Sequence, residues 1–528
     1  MKQHPLEKWR QFFNTRKQAD YVKLIDHFET VFGNQSETVI AKAPGRVNLI
    51  GMHIDHQGGA VNPIAISETR VIAQPRSDDK IILKNMNPKF EKRSFRISDI
   101  LPKEPIDWST WTQEVSTERQ EAGTPVDWSD YVKAVILMLQ EDQHQLDGSY
   151  CQNFSGMNVL IDSDLPVAAG LSSSSSLVVA AAYAIIAIND LSYAPNVLID
   201  MLGRSEWYIG VRGGIGDHAA IILGREGQIS HIELLPINVS HAPFPSDYRI
   251  VICHCGIEAK KSSSAQNTYN ERVAGYKIGL QILKTNYPQI FGPVELFRDL
   301  HPSFLGIPTL DLYQMLKTLP IRVSRAQISD LLPDQGHMLE TLYQSHYPEN
   351  EGYRIRGVCL YGIAECERSR KAVKFLSSGD IRRFGELINL SHEGDRVSTN
   401  GTERFEPDIS NVYLDQCSSL LAKDKNHENA QIYKQPGGYA ASCPELDSLV
   451  DLARQNPGVH GAGLIGAGLG GCISILIQLD HVDELVDLLE HQYYKPKGMQ
   501  PFIEICRPVE GASIFEIPKS GSSALLYR

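Results

Sequence analysis

Three short stretches hold residue types suited to binding an anion and activating a hydroxyl group. Arg46 follows a Pro44-Gly45 hinge, Asp217 closes the glycine-dense run from Gly210, and five serines, Ser172 to Ser176, follow Gly170 and Leu171. A carboxylate within hydrogen-bond reach of a hydroxyl can take its proton. An arginine grips phosphoryl oxygens with a planar fork of N–H donors. Serines at the start of a helix can share an anion with backbone N–H groups that have no intrahelical partner. Each also has a plainer reading: an Asp after Gly commonly closes an Asx turn and can also be a metal ligand, an arginine can be a solvated charge, and a serine run alone suits a flexible linker. The flanks favour the anion cradle. Met157 to Ser163 alternates like a strand with one buried face, and Leu177 to Ile188 is continuous and Ala-rich, like a helix buried on most of its circumference.

Other motifs are weaker. Gly461-Ala-Gly-Leu-Ile-Gly466 matches GxGxxG, yet the segment after Gly468-Leu-Gly-Gly471, Cys472 to Leu479, reads as a strand where a dinucleotide fold needs a helix. A tight hairpin, and backbone in an unusual conformation or in close approach to something else, both remain open there. His53-Ile-Asp-His56 lacks the further ligands of a metal centre; its histidines read as loop residues or as partners of a polar ligand. Cys253-His254-Cys255 reads as core strand, because adjacent residues of a strand face opposite ways. No Gly-x-x-x-x-Gly-Lys-Ser/Thr occurs, which excludes a Walker-type site.

These residues need a scaffold, and the chain is long enough for one. With 528 residues, 42% hydrophobic and 22% charged, it is expected to form two domains, divided here as 1–240 and 241–528. Lys+Arg 51 against Asp+Glu 63 gives −12, which argues against nucleic acid and anionic membranes as partners. The longest apolar run, Leu177 to Ile188, is too short to span a bilayer. The first ten residues carry charges where a signal peptide is apolar, and nine scattered cysteines show no Cys-x-x-Cys. A cytoplasmic monomer is expected. Residues 6–33 read as one or two amphipathic helices carrying Trp9, Phe12, Phe13, Leu24, Ile25, Phe28 and Phe32. Thr38 to Gly51 reads as two strands hinged at Pro44-Gly45, and residues 99–127 as an exposed connection. A helix is expected to begin near Asp127 or Ser129 and another to cover Val197 to Ile209, with a glycine-rich loop from Gly210 to His218. Helices are expected over much of 265–345, then over Ile363–Leu376 and Ile381–Ser391. Residues 421–438 read as a solvated loop.

Taken together the stretches resemble the galactokinase branch of the GHMP small-molecule kinases. Pro44-Gly-Arg-Val-Asn-Leu-Ile-Gly51 is similar to the family's first motif, Leu165 to Ser174 to its second, the ATP phosphate loop, and Gly461 to Gly471 to its third. Trp128 to Lys133, Ser442 to Asp447 and the Gly210–Asp217 loop resemble galactokinase segments too, and the matches run in family order from about residue 40 to 480. The resemblance implies an α+β, two-domain GHMP kinase fold: an N-terminal domain like ribosomal protein S5 domain 2, and a ferredoxin-like C-terminal domain. It implies transfer of the γ-phosphoryl of ATP, with Mg²⁺, to the anomeric hydroxyl of galactose or a close relative, with Asp217 as base and Arg46 stabilising charge. By the same resemblance Gly170, Leu171, Ser172, Ser173 and Ser174 hold the phosphates, Ser174 and Glu206 meet the metal, and His53, Asp55 and Tyr269 bind the sugar. Gly466, Gly468 and Gly470 form the structural glycine motif.

Several positions depart from the family pattern. Met52 stands where galactokinases carry a Glu near C6 of the sugar, and Gly-x-His-Ile-Asp-His-Gln-Gly-Gly is similar to galacturonate kinases, so a uronic acid stays open as substrate. The family's metal-binding Glu aligns with Ser205, one residue from Glu206, and one helical step turns a side chain by about 100°. Ser175 and Ser176 replace small residues and His218 replaces a Gln. A sugar- and ATP-binding sensor without turnover therefore also stays open.

Overall fold

The computed structural model describes residues 15–33, 37–147, 154–166, 170–212, 214–258, 263–348 and 352–517. Trp9, Phe12 and Phe13 lie outside these residues, as do positions 167–169 of the serine-loop stretch and 213 of the glycine-dense run.

Two sheets carry the molecule. The first has six strands in the order Ser513–Ile517, Thr38–Asn48, Pro63–Pro75, Met157–Ser163, Lys80–Asn85, Arg93–Arg96. Neighbours are antiparallel except Lys80–Asn85, which runs parallel to Met157–Ser163. Its two faces follow the period of two that strands impose. Val39, Ala41, Ala43, Val71 and Ala73 pack on helix Ser173–Ile188. Ile40, Ile72 and Leu160 pack on the other side against Tyr21, Leu24, Ile25 and Phe28 of helix Thr15–Phe32.

Thr38 to Asn48 is one strand, not two hinged ones. The register on Pro63–Pro75 shifts between Ala43 and Gly45, because Pro44 has no N–H for the ladder and the chain bulges there. Gly45 matters for another reason: a Cβ on it would lie 2.6 Å from the Leu171 carbonyl oxygen. That close approach lets the Arg46 N–H donate to the same carbonyl at 3.2 Å.

The second sheet is antiparallel throughout, in the order Val459–Leu464, Cys472–Gln478, Tyr248–His254, Ile503–Cys506. Val251, Cys253, Ile473, Ile475 and Ile477 face helices Pro444–Ala453 and Val482–Leu489. Ile250, Ile252 and Leu476 face Phe384, Leu387 and Ile388 of helix Ile381–Asp395. Cys253 is therefore a core residue, as its strand pattern implies.

The fold corrects three further local readings. Residues 99–127 contain the helix Trp108–Glu121, capped by Asp107, whose carboxylate accepts from Thr110 N at 2.9 Å, and with Trp108 and Thr112 buried. The 421–438 segment is solvated only at its start, since helix Asn411–Lys423 enters it and Ala430, Ile432, Tyr433 and Gln435 are buried. The glycine-dense run ends in a helix, Gly216–Leu223, so Asp217 and His218 stand in a first turn and not in a loop. Elsewhere helices form where the pattern puts them, Asp130–Asp147, Pro195–Ser205, Ser263–Asn286 and Ile381–Asp395, while Ile355–Ser377 begins eight residues before the Ile363 start read from the sequence. The last described strand, Ser513–Ile517, returns to the edge of the first sheet beside Thr38–Asn48. Among the described residues no helix is long and apolar enough to cross a membrane.

Candidate active site

Arg46 leaves the first sheet near the end of its strand and meets Asp217 in the opening turn of Gly216–Leu223. The pair is bidentate: Nε donates to Oδ1 at 2.7 Å and Nη2 to Oδ2 at 2.8 Å. Nη1 donates to the Gly170 carbonyl at 3.0 Å, and Ser172 Oγ donates to Asp217 Oδ2 at 2.6 Å. Burial pushes the Asp217 carboxyl up, but Arg46, the Ser172 hydroxyl and His218 outweigh it and hold the group below its ordinary value. About a third of the side chain stays open, 35%. The arrangement is a permanent carboxylate with one open side, beside a guanidinium.

Helix Ser173–Ile188 starts next to this pair, after Gly170 (φ 75°) and Ser172 (φ 56°), both left-handed. The serines do not share one job. Ser176 Oγ donates to the Ala43 carbonyl at 2.8 Å and fastens the helix to the sheet. Ser174 lies beside the Tyr131 phenol. Ser175, taken from sequence only as a replacement for a small residue, donates to Glu206 Oε1 at 2.9 Å and lines a cavity of about 260 Å³ together with Arg46 and Asp217. Gly170, Leu171, Ser172, Ser173 and Ser174 border the helix start without lining that cavity. A helix turns 100° per residue, so of five consecutive serines only some can point one way.

Glu206, not Ser205, reaches the cavity. Helix Pro195–Ser205 tightens into the 3₁₀ turn Glu206–Ile209 at this point. Ser205 is turned inward, fully buried, with Oγ donating to the Leu202 carbonyl at 2.7 Å. Glu206 Oε1 also lies 3.3 Å from His218 Nε2, and His218 is a further cavity residue.

The remaining wall comes from the Gly51–Asn62 loop. Met52, His53 and Asp55 line the cavity, and Tyr269 closes it from helix Ser263–Asn286. His53 adopts φ 60°, stacks on Tyr439 at 4.2 Å and places Nε2 3.3 Å from Asp395 Oδ1. Burial pushes the Asp55 carboxyl up, yet His56, its Nδ1 3.3 Å away, and His53 leave it below its ordinary value. Burial and the nearby Asp55 charge push the Tyr269 phenol up to about 12, so it keeps its proton and can donate. An anionic acceptor and a neutral phenol facing one space suit a polyhydroxyl ligand.

The hairpin Val459–Leu464 to Cys472–Gln478 supplies the last edge through Gly466 and Ala467. Gly466, Gly468 and Gly470 all have positive φ, 76°, 76° and 130°. A Cβ at Gly468 would lie 2.0 Å from the Ala441 carbonyl oxygen. The hairpin and the close approach open in the sequence thus both hold. Among the described residues no group of three or more His, Cys, Asp and Glu forms a metal cluster, His53–His56 included.

Comparison with known proteins gives three matched segments. The galactokinase galactose-binding signature matches residues 26–75, the GHMP kinase N-terminal domain residues 130–225 and the GHMP kinase C-terminal domain residues 419–495. The galactokinase of Chloroflexus aurantiacus is 28% identical over 481 residues, covering 90% of this chain and 93% of its own. That of Staphylococcus carnosus is 28% identical over 479 residues, covering 90% and 94%. Among solved structures, Lactococcus lactis galactokinase complexed with galactose superposes with a TM-score of 0.60 at 24% identity, covering 93% of this chain and 99% of that one.

Proposed function

Because the chain belongs to the galactokinase branch of the GHMP kinase family, we propose that it is an ATP-dependent sugar-1-kinase that phosphorylates the anomeric hydroxyl of galactose. One observation carries the reading. The ionised Asp217, in a bidentate pair with Arg46, opens onto the same cavity as Asp55 and Tyr269. A hydroxyl placed there meets a proton acceptor and a fixed cation at once.

The chemistry follows from these groups. Asp217 orients the sugar hydroxyl through a hydrogen bond and takes its proton as the oxygen–phosphorus bond forms. A carboxylate held below the ordinary range is a weak base, which suits a loose transition state in which the proton leaves late. Arg46 holds Asp217 in place and offers its N–H groups to the phosphoryl oxygens, where charge spreads. Asp55 and Tyr269 fix the ring by accepting and donating.

ATP and Mg²⁺ fit the donors present. The first turn of Ser173–Ile188 offers free N–H groups next to Arg46. Glu206 and Ser175 are hard oxygen ligands on the cavity wall, few enough for an ion that keeps waters and substrate phosphates in its shell. When bound, Mg²⁺ neutralises charge on the phosphates.

Galactose is favoured over its uronic acid by charge. Among the described residues, Arg46 is the one Lys or Arg lining the cavity, and it is engaged by Asp217. Among the described residues, a C6 carboxylate near the buried Met52 would find no Lys or Arg free to offset its desolvation. The test is ADP release from the purified chain with MgATP and, separately, galactose, galacturonate, glucuronate, arabinose and N-acetylgalactosamine. Turnover is expected with galactose above all; preference for galacturonate would overturn the assignment at C6. Sugar binding with no ADP release would replace the kinase by a sensor. We also propose a two-part division near residue 240 and a cytoplasmic, monomeric protein with no nucleic-acid or membrane partner, in keeping with the charge and the cysteine pattern.

A further inference from the structure

We infer that Glu365 is a positioning residue for the sugar-binding loop, a buried carboxylate that sets the backbone from which Met52, His53 and Asp55 project. The inference rests on the sugar-kinase reading above. Glu365 lies on helix Ile355–Ser377 and is fully buried. Its Oε1 accepts three hydrogen bonds: from Gly51 N at 2.7 Å, Met52 N at 3.1 Å and Ser391 Oγ at 3.0 Å. Two consecutive amides converging on one anionic oxygen require a sharp turn of the chain, and Gly51 adopts φ 97° with His53 at φ 60°. Backbone in that region is held by its surroundings, and the Glu365 carboxylate holds the Gly51 and Met52 amides.

The other end of the loop is fixed by the same helix face. Ser369, one turn further on, donates from Oγ to the Ala60 carbonyl at 2.6 Å and accepts from Asn62 Nδ2 at 2.8 Å. Residues four apart on a helix lie one above the other, so Glu365 and Ser369 clamp the start and the finish of one loop. The charge at Glu365 is itself positioned. Oε2 accepts from Arg368 Nε at 2.5 Å, and the wholly buried Arg368 donates Nη1 to the carbonyls of Tyr433 and Gln435 at 3.2 and 2.8 Å. Neither Glu365 nor Arg368 lines the cavity; Glu365 acts through the loop alone.

The test uses the full chain and two variants. Glu365→Gln keeps the shape and one acceptor oxygen but removes the charge. Ser391→Ala removes one donor to Oε1, together with a 3.3 Å contact to the Tyr361 hydroxyl, and keeps the proposal testable if the first variant does not fold. Expected is a rise of about tenfold in KM for galactose with Glu365→Gln and about threefold with Ser391→Ala, with KM for ATP within about twofold. A purely structural role would move both constants together, and that result, or no change in either, overturns the inference. Amide hydrogen exchange provides a readout independent of turnover. Gly51 and Met52 should exchange faster in the variants while the Thr38–Asn48 strand is unaltered; unaltered protection at Gly51 and Met52 also overturns it. Wild type assayed alongside separates the two claims: an inert wild type removes the kinase reading and leaves exchange to decide on Glu365.

Discussion

Asp217 stands between two opposed influences. Burial pushes its carboxyl up, and Arg46 with the Ser172 hydroxyl reverses that, leaving it below the ordinary 3.8. A carboxyl lowered on folding stabilises the native state at pH above its unfolded value, and that stabilisation fades as pH falls through the folded value. Activity should therefore keep its acid limb below the usual carboxylate range. Arg46→Ala leaves burial less opposed and should move the acid limb of kcat/KM upward, besides lowering the rate; a limb that stays put would separate Arg46 from the ionisation of Asp217. Asp217→Asn keeps the hydrogen-bonding shape and removes the base. It should lower kcat by roughly 10²–10⁴ while nucleotide binding, followed by calorimetry, changes little. Full activity in that variant would take Asp217 out of the mechanism.

At the scale of elements, the site is made where regular structure stops. The bulge at Pro44-Gly45 brings a strand against the Leu171 carbonyl. The 3₁₀ turn Glu206–Ile209 swings Glu206 toward the cavity. The hairpin turn around Gly468 lies so close to Ala441 that the Leu469 N–H donates to the Ala441 carbonyl at 2.7 Å. Gly468→Ala combines a positive φ with a clash against backbone oxygen, which cannot rotate away as a side chain can. It should destabilise the fold by about 1–3 kcal/mol, read as a lower midpoint in chemical denaturation. An unchanged midpoint would mean the hairpin shifts without cost.

Across the whole molecule, the cavity joins both sheets. Arg46, Asp217 and Glu206 come from the first half of the chain, Tyr269, Gly466 and Ala467 from the second. The end of the described chain ties the halves together as well. Ser513–Ile517 extends the first sheet, placing Ile514 and Phe515 on opposite faces, in the clusters under helices Ser173–Ile188 and Thr15–Phe32. Ending the chain after Arg507 should cost about 3–6 kcal/mol, the burial of two large apolar side chains, and lower the thermal midpoint. Equal stability with and without the strand would show that it merely decorates the edge.

The period-two strands, the buried helix after the serines and the glycine turns are legible in the sequence because each depends on neighbouring residues: side-chain alternation, helix periodicity and the need for positive φ are local properties. The order of the three glycine- and serine-bearing motifs was legible for the same reason. Which serine faces the cavity was not, since it depends on how helix Ser173–Ile188 is rotated against the sheet, a matter of packing. The choice of Glu206 over Ser205 hangs on a change of helix type, and the first-turn position of Asp217 on where a helix begins in a glycine run; both are settled by tertiary contacts that override weak local preference. The grip of Glu365 on Gly51, 314 residues away, leaves no local signature at all. Only folding brings that carboxylate to those two amides, because a buried charge and a strained turn each satisfy what the other lacks.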